Sequence, residues 1–188
     1  MSTTAPGTTL DAAFLDDFTR RWQEAWNAHD GHAVAAMCTD DVEVVDPAAG
    51  ELRGREAVAR WVEETARAFP DYRFDQPDGP YVARDQLKAI IVWRMVGTNT
   101  GPIEPPGFAA TGKPFTLDGV DQWTFRDGLL ERLALFYDVN GMMVQLGLAP
   151  PPGSRTEQAM VMLQKAAVKA ASAASAAMEK SRRGDSNP

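Results

Sequence analysis

One cysteine, two histidines and no long apolar run among 188 residues narrow the chemistry before any motif is considered. Cys38, standing alone, excludes an internal disulfide and a thiolate metal cluster, and is expected to be a small buried hydrophobe. His29 and His32 sit three apart with no third donor at a supporting spacing, so no metal site is expected. No segment approaches the roughly 20 apolar residues of a membrane span. The opening "MSTTAPGTTLDAAF" lacks the basic and apolar regions of a signal peptide, and a cytoplasmic location is expected. There is no P-loop, no dinucleotide-binding glycine pattern and no Ser or Cys nucleophile motif. Basic charge is scarce over most of the chain. Residues 149 to 188 hold six Lys/Arg against three Asp/Glu, so the first 148 residues carry 13 against 23, a net of −10. An acidic body of this kind repels phosphate backbones, and nucleic-acid binding is not expected.

What is present is a chain with 44% hydrophobic residues, enough for one well-packed domain. Residues 1 to 8 read as disordered. From Thr9 to His29 the spacing of Phe14, Phe18, Trp22 and Trp26 predicts a helix with one aromatic face. Asp30 is placed to cap a short helix carrying Val34, Met37 and Cys38, and "VEVVD" reads as a strand. "GREAVARWVEETARAF" predicts a second long helix, stopped at Pro70. The period then changes. "DYRFDQP", "YVARDQLKAIIVWRMVG", "PFTLDGVDQWTF" and "LLERLALFYD" are strand-like, with Asp78-Gly79 and Asp127-Gly128 as turn signals. Residues 99 to 113, "NTGPIEPPGFAATGK", form a loop long enough to serve as a lid or binding loop. Asp138 is placed to cap "GMMVQLGL", and after the linker "APPPGS" an Ala-rich helix opens on a Ser154/Glu157 capping box.

Helices followed by a run of strands make an α+β order. "WNAHD", "DDVEVVDP", "GREAV" and "AFPDYRF", in that order, resemble the nuclear-transport-factor-2-like superfamily. "GTNTG", "TGKPF" and "QLGL" are similar to its SnoaL-like branch of polyketide cyclases, close to the ketosteroid isomerases. The resemblance implies a cone-shaped curved antiparallel sheet wrapped around the N-terminal helices over residues 9 to 149. Residues 150 to 188 are left as a linker and appended helix. It also implies no cofactor, a hydrophobic small-molecule substrate and a homodimer.

The same resemblance picks out two acids. Asp46, in "DDVEVVDP", falls where ketosteroid isomerases keep their general base, and Asp121, in "LDGVD", falls where they keep a protonated hydrogen-bonding acid. Burial in an apolar cavity raises a carboxyl pKa, which makes such a base usable near neutral pH. Asp46-Pro47 also reads as an ordinary turn, and both readings stand at this stage. Trp22, Trp26, Trp61, Trp93, Tyr137 and Asn99 are the expected pocket residues. Several positions depart from the relatives: the oxyanion tyrosine is Trp22, its supporting tyrosines are Cys38 and Val62, and the cyclase aspartate is Leu135. The arginine of limonene epoxide hydrolase is Gly119, and Asn99 stands where many relatives carry His. The expectation is a proton-transfer enzyme of isomerase, cyclase or dehydratase type acting on a carbonyl compound. The alternative is a non-catalytic ligand-binding or assembly module.

Overall fold

The computed structural model describes residues 10–83 and 88–184, with side chains to residue 175. The expected disorder of residues 1 to 8 lies outside this range. The chain divides into two compact units, Met1–Leu148 and Ala149–Pro188.

The first unit opens with α1 (Ala12–Asn27), α2 (Gly31–Ala36), β1 (Cys38–Asp46), β2 (Gly50–Arg53) and α3 (Arg55–Ala68). It continues with β3 (Arg73–Val82), β4 (Lys88–Thr98), β5 (Pro114–Arg126), β6 (Leu129–Tyr137) and α4 (Val139–Leu146). Local chemistry sets the ends. Asp11, Asp30 and Asp138 cap α1, α2 and α4 by accepting from the backbone N–H three residues on, at 2.7 to 2.9 Å. Asp127 and Gly128 both have positive φ, the backbone of a tight hairpin turn whose twist matches its strands.

The strands form one open, curved sheet in the order β2-β1-β6-β5-β4-β3. Its neighbours are antiparallel except β1 and β6, which run parallel. The concave face holds Val44, Ile91, Trp93, Leu117, Asp121, Trp123 and Leu133, and against it pack Leu15, Phe18, Trp22 and Trp26 of α1 with Val58, Trp61 and Val62 of α3. Two hydrogen bonds of 2.8 Å between the Asn27 amide and the backbone of Phe74, with one of 2.6 Å from the Tyr72 hydroxyl to the Trp26 carbonyl, fasten the end of α1 to β3. "WNAHD" and "DYRF" are thus two halves of one joint.

Four local expectations change. Asp78-Gly79 is not a turn: the register slips on either side of Asp78 and β3 runs on to Val82 as a bulged strand, because pairing with β4 outweighs the local turn preference. The strand expected from Tyr81 to Gly97 is consequently split between β3 and β4. Cys38 and Met37 leave the short helix, with Cys38 opening β1. β2 was not expected; it pairs Gly50 to Arg53 with β1 immediately after the turn at Asp46.

The second unit contains α5 (Arg155–Gly184). Its start is capped by Ser154 Oγ, which accepts from Glu157 N at 3.1 Å, while the Glu157 carboxylate accepts from Gly153 N at 2.5 Å, one residue ahead of the N–H that a full capping box would use. Among the described residues no helix is long and apolar enough to cross a membrane.

Candidate active site

Between α1, α3, the concave face of the sheet and the loop after β4 lies a cavity of about 350 Å³. That is within the range of small-molecule sites. Trp22, Trp26, Trp61, Phe69, Phe74, Trp93, Phe115 and Tyr137 are its aromatic wall residues, and Asp46 and Asp121 are both part of it. Exposed Arg60 and Glu104 mark where it opens, beside Glu64.

Asp46 ends β1 and is only 5% exposed. Its Oδ1 accepts from the backbone N–H of Ala48 and of Ala49, both at 2.7 Å, which is how a turn-forming aspartate binds the residues after it. The Tyr137 hydroxyl donates to the same carboxyl, at 3.0 Å to Oδ1 and 3.2 Å to Oδ2. Asp46 is therefore both turn residue and cavity residue. Three donors suit a carboxylate, which has only lone pairs to offer them. Burial first, and then the neighbouring Asp46, hold the Tyr137 phenol well above its ordinary value of 10, so it stays a neutral donor.

Asp121, on β5, is 2% exposed. Two indoles hold it: Trp93 Nε1 donates to Oδ1 at 2.7 Å and Trp123 Nε1 to Oδ2 at 3.3 Å. Burial pushes its pKa from 3.8 up to about 7 and the two indole bonds oppose this, with the charge of Asp46 adding a further upward push. The acid thus sits near the point where a proton is as easily held as released.

Five of the expected wall residues, Trp22, Trp26, Trp61, Trp93 and Tyr137, line the chamber. Asn99 does not. Its fully buried amide donates to the carbonyls of Ala68 and Gly101 and accepts from Thr111 N, which pins both ends of the loop between β4 and β5. That loop brings Ile103, Glu104 and Pro105 to the chamber. Trp123 was missed as a partner of Asp121, although alternation along "DQW" puts both side chains on one face. The Trp26 indole N–H is buried and has no hydrogen-bond partner among the described residues. Burial pushes the Cys38 thiol up to about 12, as befits a core residue. Among the described residues no three His, Cys, Asp or Glu side chains converge as metal ligands would.

Residues 19–133 match the family described as the SnoaL-like domain. No curated protein sequence matches the chain. Among solved structures it is similar to TsrD from Streptomyces laurentii, with 25% identity over 74% of this chain and 99% of that one, at a TM-score of 0.65. A protein described as a SnoaL-like polyketide cyclase from a Jannaschia species aligns over 80% of this chain and 100% of its own, with 20% identity and a TM-score of 0.63. One of ketosteroid isomerase-like fold from Catenulispora acidiphila, solved with trimethylamine, has 21% identity over 71% and 94%, with a TM-score of 0.59. The last two likenesses concern the fold.

Proposed function

The chain belongs to the SnoaL-like domain family, and from that premise we propose that it is a cofactor-independent proton-transfer enzyme acting on a hydrophobic carbonyl compound such as a polyketide. The observation that carries this is the shared chamber: two almost fully buried carboxyl groups line one apolar cavity. Burying two acids together costs folding stability, and a wall meant only to hold an apolar ligand has no use for them.

In this reading Asp46, surrounded by donors, is the carboxylate that removes a proton from the carbon beside the carbonyl. Asp121 holds the other proton. Trp93 makes the short bond to Oδ1, leaving Oδ2, with only the longer Trp123 contact, as the oxygen that carries hydrogen toward the developing enolate. Returning the proton from Asp46 at another carbon completes an isomerisation. Attack of the enolate on a second carbonyl gives a cyclisation, and loss of hydroxide gives a dehydration. We take the convex sheet face, where Phe136 is 57% and Val96 38% exposed, to be the contact for a homodimer.

The test is Asp46→Asn, assayed by NMR as solvent-deuterium exchange into a panel of cyclic ketones and β-diketones. The expected loss is about 10²–10⁴-fold; a variant that exchanges as fast as the wild type ends the assignment. Leu135, which faces the chamber beside Asp121 where cyclases carry an acid, favours the second reading, a ligand-binding module. That reading expects tight binding of panel members with no exchange by either protein.

A further inference from the structure

Across β4, β5 and β6, Trp93, Gly119 and Tyr137 are register partners, so they form one row on the concave face. The middle member has no side chain. The two aromatic rings meet across the space above it, with centroids 5.7 Å apart and planes at 65°. A Cβ at position 119 would lie 2.3 Å from Cζ2 and 2.7 Å from both Cε2 and Cη2 of Trp93, well inside van der Waals contact. With Phe74 on the neighbouring strand at 5.9 Å between ring centroids, the room an alanine needs would come from moving the indole off its place over β5. From this position over β5 the Trp93 N–H reaches Asp121, the next inward residue of the strand, while the Tyr137 hydroxyl reaches Asp46.

We infer that Gly119 and Trp93 are positioning residues: the empty site at 119 seats the indole, and the seated indole fixes the Asp121 carboxyl toward the chamber. The inference deepens the proposed function and rests on Asp121 belonging to the reacting pair. It gives a physical meaning to a glycine where an epoxide-hydrolase relative carries arginine. A side chain at position 119 and the indole in its present place are mutually exclusive.

The experiment needs no substrate. The carboxyl carbon of Asp121, assigned through Asp121→Asn, is titrated by NMR in the full chain, and the Trp93 indole N–H resonance is followed alongside. The other titratable groups on the chamber are Asp46 on β1, Tyr137 on β6, Arg60 and Glu64 on α3, and Glu104 in the loop. They are left unchanged in every variant. Trp93→Phe removes the donor while keeping a ring, and is expected to raise the Asp121 midpoint by about one to two pH units, since a donor favours the ionised form. Gly119→Ala is expected to raise it similarly and to uncouple the Trp93 N–H resonance from the Asp121 titration. Combining both changes should add little to Trp93→Phe alone. The double variant also supplies the smaller ring that an alanine requires, should Gly119→Ala by itself fail to fold.

A midpoint that stays put or falls in Trp93→Phe overturns the inference, because mere loosening of the core would admit water and lower it. An additive double variant overturns it as well. The two proposals fail separately. Shifted midpoints with full activity in Asp121→Asn would keep the positioning role and remove the catalytic one. An inactive Asp121→Asn with unshifted midpoints would do the reverse.

Discussion

Replacing Asp121 with asparagine should make the protein more stable at alkaline pH, by an amount that depends on pH in a defined way. The folded chain binds the Asp121 proton with a pKa near 7, against an ordinary value of 3.8. Between those values the folded state holds a proton that the unfolded chain has released. Stability from this group is therefore full below about pH 4, is lost as pH rises through 7, and levels off above it. At about 1.4 kcal/mol per pH unit the whole span is worth about 4 kcal/mol. Asparagine cannot ionise, so the stability difference between variant and wild type should change by that amount from pH 4 to pH 8. Its constant part is a penalty of about 1–3 kcal/mol, since an amide offers one oxygen where two indole N–H groups seek acceptors. The expected outcome is a variant less stable at pH 4 and more stable at pH 8. Urea unfolding followed by tryptophan fluorescence measures this directly, because all five tryptophans lie in the first unit. A stability difference that is flat from pH 4 to pH 8 would show that Asp121 titrates as an ordinary carboxyl, and the reasoning about its burial would fail.

Other expectations can be checked in turn. If Asp121 must carry its proton, turnover should decline as pH rises through about 7, and a rate that instead increases across that range would give Asp121 the role of base. Ending the chain at residue 148 should leave a cooperative melt, since the buried core is drawn entirely from residues 10 to 148; loss of cooperativity in calorimetry would refute this. If the proposed homodimer forms through the convex sheet face, the wild type should sediment as a dimer and Phe136→Asp as a folded monomer; a monomeric wild type or an unchanged coefficient in the variant would refute that contact.

The element order was legible because helix caps and the Asp127-Gly128 turn are decided by a few neighbouring atoms. The short strand β2 was not, since four residues containing Gly, Glu and Arg have no periodicity, and pairing with β1 alone makes them a strand. Asp78-Gly79 misled for the converse reason: a strong local preference was absorbed as a bulge by a longer-range pairing. For the site, the two acids were picked out by motif position in the resembling family, and the five aromatic wall residues as large aromatics near those motifs; all seven lie on the chamber. The network joining them was not legible in this way. That Trp93 and Trp123 converge on Asp121, and that Gly119 makes room for it, depends on register across β4 and β5, which one strand's sequence does not encode. Asn99 shows the limit of analogy: its motif sits beside the site, while its hydrogen bonds serve the loop.

The double attachment of Asp46 carries a consequence for how this scaffold diversifies. Its Oδ1 is tied to the N–H groups of Ala48 and Ala49, so the carboxylate cannot rotate independently of the three residues that separate β1 from β2. One residue inserted there would re-aim the acid while leaving the wall drawn from α1, α3 and β4 to β6 unchanged. New reactions could then arise from changes in hairpin length as well as from substitutions in the aromatic wall.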